Sequence, residues 1–233
     1  MAEDKAGGVE AVDRALALLD CFDGRERTLS LAELARRSGL YKSTILRLAV
    51  SLERGGYMLR DAAGGYRIGP SPSRLAALYR QGFDLGAVLR PALQALARET
   101  GETASFYVRE GERRVCLYRA EPERAIRHHL TEGTALPLKA GASAEVLRAW
   151  SPDAGVDAGL AAVRASGHAV SRGARDPEVA AVAVPLFDEA GALRGALSLS
   201  GLVTRFTPEA CAAMLAVLEA RAAALSAALG AQG

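Results

Sequence analysis

Two short runs of apolar residues at helical spacing lie between residues 31 and 53. Leu31, Leu34 and Ala35 make the first, Ser38-Gly39 interrupts it, and Leu40 turns back toward a core. Ile45, Leu48, Ala49 and Leu52 make the second at i, i+3, i+4 and i+7, a stripe for burial. The opposite side of that run carries Lys42, Ser43, Thr44 and Arg47, all hydrogen-bond donors. Two helices around a tight turn, the second rich in donors, is the layout of a helix-turn-helix whose second helix enters the major groove. Upstream, Val9, Val12, Leu16 and Leu19 predict a first helix that completes a three-helix core. Downstream, Arg54-Gly55-Gly56 ends the second helix, glycine being at ease in left-handed caps. Residues 57–60 and 66–69 then predict two short strands around a glycine-rich turn, a hairpin wing carrying Arg60 and Arg67.

The pattern changes after the wing. Gly69-Pro70-Ser71-Pro72 breaks it, Pro72 suits a helix's first turn, and Leu75, Leu78 and Tyr79 predict a connecting helix. From residue 85 onward the reading is mixed. A helix carrying Val88, Leu89, Leu93 and Leu96 ends at Thr100-Gly101. Strands are predicted at 103–109, 114–119 and 126–130, helices at 143–150 and 159–166, and a hairpin at 179–188 and 193–200. A last helix opens at Thr207-Pro208-Glu209. The fold class is α/β (α+β): a winged helix-turn-helix over residues 1–69, a linker helix over 70–84, and an antiparallel sheet flanked by helices over 85–233. The last unit suits a small-molecule sensor.

Charge sharpens this division. The 233-residue chain has a net charge of +2, which by itself says little. Residues 30–80 hold nine Lys/Arg against three acids, whereas 16 of each sign cancel from residue 85 to the end. A local basic excess is the footprint of a nucleic-acid-binding domain beside one that does something else. No acid falls between Leu34 and Leu52, although solvated helices ordinarily intersperse both signs. Leu46 and Val50 border the buried stripe, where apolar side chains meet thymine methyls. The expected DNA-contacting set is Arg36, Lys42, Ser43, Thr44, Leu46 and Arg47, with Arg60 and Arg67 from the wing.

Candidate chemistry is sparse. There is no HExxH, paired CxxC, GxSxG elbow or Walker glycine loop. His128-His129 point to opposite faces of any strand, a poor pair for one metal. No catalytic residue, metal or cofactor is expected. Cys21, Cys116 and Cys211 read as buried thiols. No signal peptide opens the chain and no apolar run approaches the roughly 18 residues that span a bilayer, so a cytoplasmic protein with no membrane partner is expected. Ser198 and Ser200, two apart on a strand, share a face and can hydrogen-bond a ligand carboxylate.

Several stretches resemble, in order and spacing, the IclR family of bacterial transcription regulators over nearly the full length. They are Arg14-Ala15-Leu16, Leu40-Tyr41-Lys42-Ser43-Thr44 through Arg47-Leu48, Gly56-Tyr57 and Tyr66-Arg67-Ile68-Gly69. Glu99-Thr100-Gly101-Glu102-Thr103, Pro137-Leu138, Pro185-Leu186-Phe187-Asp188 and Leu197-Ser198-Leu199-Ser200-Gly201 complete them. The resemblance implies a winged-helix domain, a linker helix and a GAF/PAS-like effector domain, in dimers or dimers of dimers. Tyr41 departs from a frequent proline, and Lys139-Ala140-Gly141-Ala142-Ser143-Ala144-Glu145 departs from a motif like His-Ala-Thr-Ala-x-Gly-Lys. Ser171 and Ala181 fall where keto-acid-sensing members carry an aspartate and a cysteine.

The expected function is a DNA-binding regulator, a repressor rather than an activator, whose operator binding responds to a small organic acid. Its partners are a double-stranded operator, that acid, and further copies of itself as homodimer or homotetramer. The expected effector site comprises Gly133, Thr134, Ala135 and Leu136 with Ser171, Ala181, Ala183, Ser198 and Ser200. Ala181 and Ala183 leave room for a ring, which favours an aromatic carboxylate over a short keto acid. Arg124, Arg127 and His128 could add to it, but on an edge strand they are expected to be solvated. The alternatives are a GAF-like enzyme or ligand carrier with an accessory DNA-binding module, and an architectural nucleic-acid binder without ligand. The missing catalytic constellation argues against the first. The large neutral second domain argues against both the ligandless binder and a mere dimerisation element.

Overall fold

Ser30 starts the helix-turn-helix by accepting the Glu33 backbone N–H on its hydroxyl at 3.1 Å, a side-chain cap of the kind that fixes where a helix begins. Gly39 ends that helix in the left-handed region at φ +70°. The computed structural model describes residues 8–24, 26–82, 85–122, 130–152, 154–155 and 157–230. It divides into two units, Met1–Phe83 and Asp84–Gly233. The first contains α1 (Glu10–Leu19), α2 (Leu31–Ser38), α3 (Lys42–Arg54), β1 (Met58–Arg60), β2 (Tyr66–Ile68) and α4 (Ser71–Gly82). Leu18, Leu29, Leu34, Ile45, Ala49, Leu52, Met58 and Tyr66 form its core. The wing pairs Leu59 with Arg67, and Leu29 adds a bridge to Tyr66.

The face of α1 differs from expectation. Val9, Val12 and Leu16 are 66%, 53% and 56% exposed, while Leu18 is fully buried. The helix carries two apolar rows, and Leu18 with the partly buried Ala15 and Leu19 is the one that meets the core. Spacing finds a row but does not say which of two rows faces inward. Leu75, Leu78 and Tyr79 of α4 are exposed as well.

The second unit is built on a six-stranded antiparallel sheet in the order β5-β4-β3-β8-β7-β6. Its strands are β3 (Thr103–Glu110), β4 (Arg113–Ala120), β5 (Ala135–Pro137), β6 (Ala169–Arg172), β7 (Val179–Phe187) and β8 (Leu193–Leu202). Helices α5 (Leu85–Thr100) and α8 (Pro208–Gly230) cover one face, and α6 (Ala142–Ala149) and α7 (Ala158–Ser166) the other. The alternation along β7 explains the two layers. Val182, Val184 and Leu186 fill the core under the long helices, and Ala183 admits the close approach of α6.

A bulge positions the edge of this sheet. Phe106 pairs with Tyr118 and Tyr107 with Cys116, so Leu117 is skipped. Tyr118 therefore joins the α5/α8 core while Cys116, two residues earlier, joins the α6/α7 core. Arg114 follows Cys116 onto the α6 side.

Strands β5 and β6, three and four residues long, were not expected from the sequence, being too short for alternation to register. Most of the strand expected at 126–130, with Arg124, Arg127, His128 and His129, lies outside the described residues. Contrary to expectation, residues 208–229 of α8 are long and apolar enough to cross a membrane, with mean hydropathy 1.6. One face of α8, with Cys211, Met214, Leu215, Leu218, Ala222 and Leu225, packs against α5 and the sheet.

Candidate DNA interface and effector pocket

The outer side of α3 exposes Lys42, Ser43, Leu46, Arg47 and Val50, with Thr44 half-buried at its margin. Tyr41 precedes the helix without a side-chain cap, and its carbonyl accepts the N–H groups of Thr44 and Ile45 at 2.9 and 3.1 Å. The positive end of α3 is thus open to a phosphate. On the wing, Arg60 and Arg67 are exposed, and Arg60 lies over the Tyr66 ring at 5.5 Å. The structure therefore brings Lys42, Ser43, Thr44, Leu46 and Arg47 onto one helix, and Arg60 and Arg67 onto one hairpin.

Arg36 is more constrained than the sequence implied. Its Nε and Nη2 donate to the Glu33 carboxylate at 2.9 and 2.5 Å. Glu33 also receives Arg37 Nε at 2.6 Å, and hydrogen bonds from Arg36 and Arg37 hold its carboxyl down to about 2. Arg37 in turn ties α2 to the segment after α1, through Glu26 at 2.7 Å and the Cys21 carbonyl at 3.1 Å. Glu33 lies one residue before the acid-free stretch and partly neutralises its first cation.

In the second unit a cavity of about 50 Å³ lies between the sheet and the first turn of α6. Ser198, Ser200, Ala181 and Ser171 supply its floor, and Gly141, Ala142 and Ser143 its roof. The floor follows from register: Ser200 and Ser171 both pair with Ala181, in one row across β8, β7 and β6. Ser171 is already engaged, its Oγ accepting the Ala142 N–H at 3.0 Å. Leu136 of β5 also lines the cavity.

Four expected residues lie outside it. Gly133, Thr134 and Ala135 do not line the cavity. Their backbone is spent on β4: Gly133 N donates to Cys116 O at 2.7 Å, Thr134 O accepts Cys116 N at 3.0 Å, and Ala135 pairs with Val115. Ala183 shares a face with Ala181 but sits fully buried further along β7, in the α6/α7 core. Leu136, Ser171, Ala181, Ser198 and Ser200 are the expected residues that do line it.

Sequence reading missed Tyr107 and Arg114 on the cavity wall and Arg175 and Asp176 at its rim. Arg114 is 4% exposed. Its guanidinium lies 5.7 Å from the Tyr107 ring centroid, and Nη1 donates to the Ala140 carbonyl at 2.7 Å. Burial pushes it below the usual guanidinium range, Tyr107 and Glu145 opposing the shift and Arg175 adding to it. Gly141, at φ +103°, makes room for it: a Cβ there would lie 3.1 Å from Arg114 Nη2. Burial pushes the thiol of neighbouring Cys116 up to about 11, which disfavours the thiolate. A larger groove of about 320 Å³ beside α6 and α7 is edged by charges that pair with one another, Arg109 with Glu112 and Arg148 with Asp157 outside it. Among the described residues, no three His, Cys, Asp or Glu side chains are grouped to hold a metal.

Residues 11–62 match the family model of the IclR helix-turn-helix domain, and residues 77–162 and 155–227 match that of the bacterial transcriptional regulator IclR C-terminal region. The chain belongs to the IclR family. It is similar to the HTH-type transcriptional regulator BhcR of Paracoccus denitrificans, with 31% identity over 94% of this chain and 87% of the relative. The solved structure of an IclR transcriptional regulator from a Silicibacter species has 30% identity and a TM-score of 0.80, covering 94% of this chain and 96% of that one. An IclR homologue of Microbacterium hydrocarbonoxydans, solved with 4-hydroxybenzoate, shares the fold at 20% identity and a TM-score of 0.73, covering 94% and 99%. As an IclR-family member the protein is a transcriptional regulator with a DNA-binding domain and a C-terminal effector domain. The Paracoccus and Silicibacter relatives are transcriptional regulators by name.

Proposed function

We propose that this IclR-family regulator acts in the cytoplasm as a repressor, binding a roughly palindromic operator as a homodimer, and that a small organic acid in the α6 cavity controls that binding. Residues 1–69 read the operator, 70–84 link, and 85–233 sense; the division of the chain after Phe83 supports this partition. Lys42, Ser43, Thr44, Leu46 and Arg47 enter the major groove, Arg60 and Arg67 reach the backbone from the wing, and Arg36 assists from α2. One winged helix buries little DNA surface, whereas two half-sites roughly double it. The exposed rows Val9-Val12-Leu16 and Leu75-Leu78-Tyr79 supply apolar surface of the sort that pairs subunits. The sensing domains pair the dimers into tetramers.

The observation that carries the sensing role is the cavity itself. Two hydroxyls on one strand face, Ser198 and Ser200, stand opposite a helix N-terminus, an arrangement that receives a carboxylate. Its size bears on which acid is favoured. A cavity of about 150 Å³ takes a benzene ring, and this one is about 50 Å³. On that measure a short acid is favoured over an aromatic carboxylate such as the one held by the Microbacterium homologue. Calorimetric titration with short acids and benzoate is the test. Ser198→Ala/Ser200→Ala is expected to weaken the tightest-binding acid by tenfold or more, since lost hydrogen bonds to a charged group are worth about 1.5–3 kcal/mol each. Undiminished affinity moves the site elsewhere, and tight binding of a cation or a neutral sugar contradicts an acid effector.

A further inference from the structure

Arg114 is an expensive residue where it stands. A guanidinium that is 4% exposed has given up most of its hydration, a cost usually met by a carboxylate and a full set of acceptors. Here Nη1 has the Ala140 carbonyl, while Nε is buried with no hydrogen-bond partner among the described residues. The aromatic face of Tyr107 compensates partly. Among the described residues no carboxylate forms an ion pair with it: Arg175 at the rim repels it, and Glu145 on α6 acts on it only through space. Asp176 at the rim is taken up by its own turn, its Oδ1 accepting the Glu178 N–H at 3.1 Å. The same cavity wall thus presents a buried cation with an incomplete set of acceptors, beside the first turn of α6 and on the sheet face that carries Ser198 and Ser200.

We propose that Arg114, seated between Tyr107 and Gly141, is the specificity-determining residue that makes this cavity select a compact anion over its neutral isostere. The inference rests on the cavity being the effector site and adds the group that reads the ligand's charge. The anion balances the Arg114 charge and lies against the α6 N-terminus, while the serine hydroxyls hold its oxygens. A purely structural Arg114 would brace the Ala140 carbonyl and leave charge discrimination to other groups.

The test is titration of the full-length protein with propionate, benzoate, propionamide, benzamide and nitrate, followed by calorimetry and thermal unfolding. The wild type is expected to bind an anion and to discriminate against the matching amide by tenfold or more. Arg114→Met should abolish that discrimination, and Arg114→Lys should restore part of it. The unliganded Arg114→Met protein should unfold at the wild-type temperature or above, because an apolar chain replaces an unpaired buried charge. Retained acid-over-amide preference in Arg114→Met overturns the inference while leaving the organic-acid reading intact. Arg114-dependent binding of nitrate with no organic acid bound keeps the role of Arg114 and overturns that reading. A wild-type protein that binds no anion overturns both.

Discussion

Replacing Leu16 and Leu78 together by aspartate is expected to leave the protein monomeric at micromolar concentration and to lower operator affinity by more than 100-fold. Both side chains are more than half exposed, at 56% and 52%, so the substitution buries no charge in the winged-helix core, which rests on Leu18, Leu34 and Ile45 instead. Its effect falls on the proposed interface, where a charge facing its copy meets both repulsion and desolvation. A monomer engages one half-site and loses the joint binding of two. Light scattering with and without operator checks the oligomer, and circular dichroism checks the fold. A dimer that survives both substitutions moves the interface away from α1 and α4.

The second large effect concerns Arg47. It is exposed on α3, one turn beyond Ser43 and on the side that carries Leu46, where it reaches a base edge or a phosphate. Arg47→Ala should cost about 1–3 kcal/mol of operator binding, a tenfold loss corresponding to about 1.4 kcal/mol. The two kinds of contact separate by measurement. Loss of a base contact relaxes specificity at one operator position. Loss of a phosphate contact weakens all sequences alike and flattens the dependence on salt. Lys42→Ala serves as the comparison, with the second pattern expected. Operator affinity unchanged by Arg47→Ala at moderate salt rules out the assignment.

The parts of the molecule legible in the sequence are those where one local signal has one structural meaning. Ile45, Ala49 and Leu52 could only be the inner row of α3, because the other side holds Lys42, Ser43 and Arg47. Ser198 and Ser200 share a strand face by period alone, and both line the cavity. Legibility fails where two meanings compete or where the deciding contact is distant. Helix α1 has two apolar rows, and the core takes the one with Leu18. Arg113 and Arg114 are adjacent on a strand, so one points each way, and the skipped Leu117 is part of what sets which. No local pattern marks Arg114 as the buried one. The alternation that groups Ala181 with Ala183 is correct, but the position of α6 along β7 buries the second and opens a cavity at the first. Thr134 and Ala135 fall to the same kind of contact, since β4 claims their backbone.

Control of DNA binding by an occupied cavity is the centre of the account, and linkage gives its most direct measurement. A ligand shifts an equilibrium only by its differential affinity for the two states, and the coupling between two sites is reciprocal. The protein's own operator, selected from a random duplex pool, is titrated by fluorescence anisotropy with and without a saturating concentration of the tightest-binding acid. The acid is then titrated calorimetrically with and without operator. The account predicts that the acid weakens operator binding by tenfold or more, and that the operator weakens acid binding by the same factor. Equal operator affinity in the presence and absence of bound acid would contradict it.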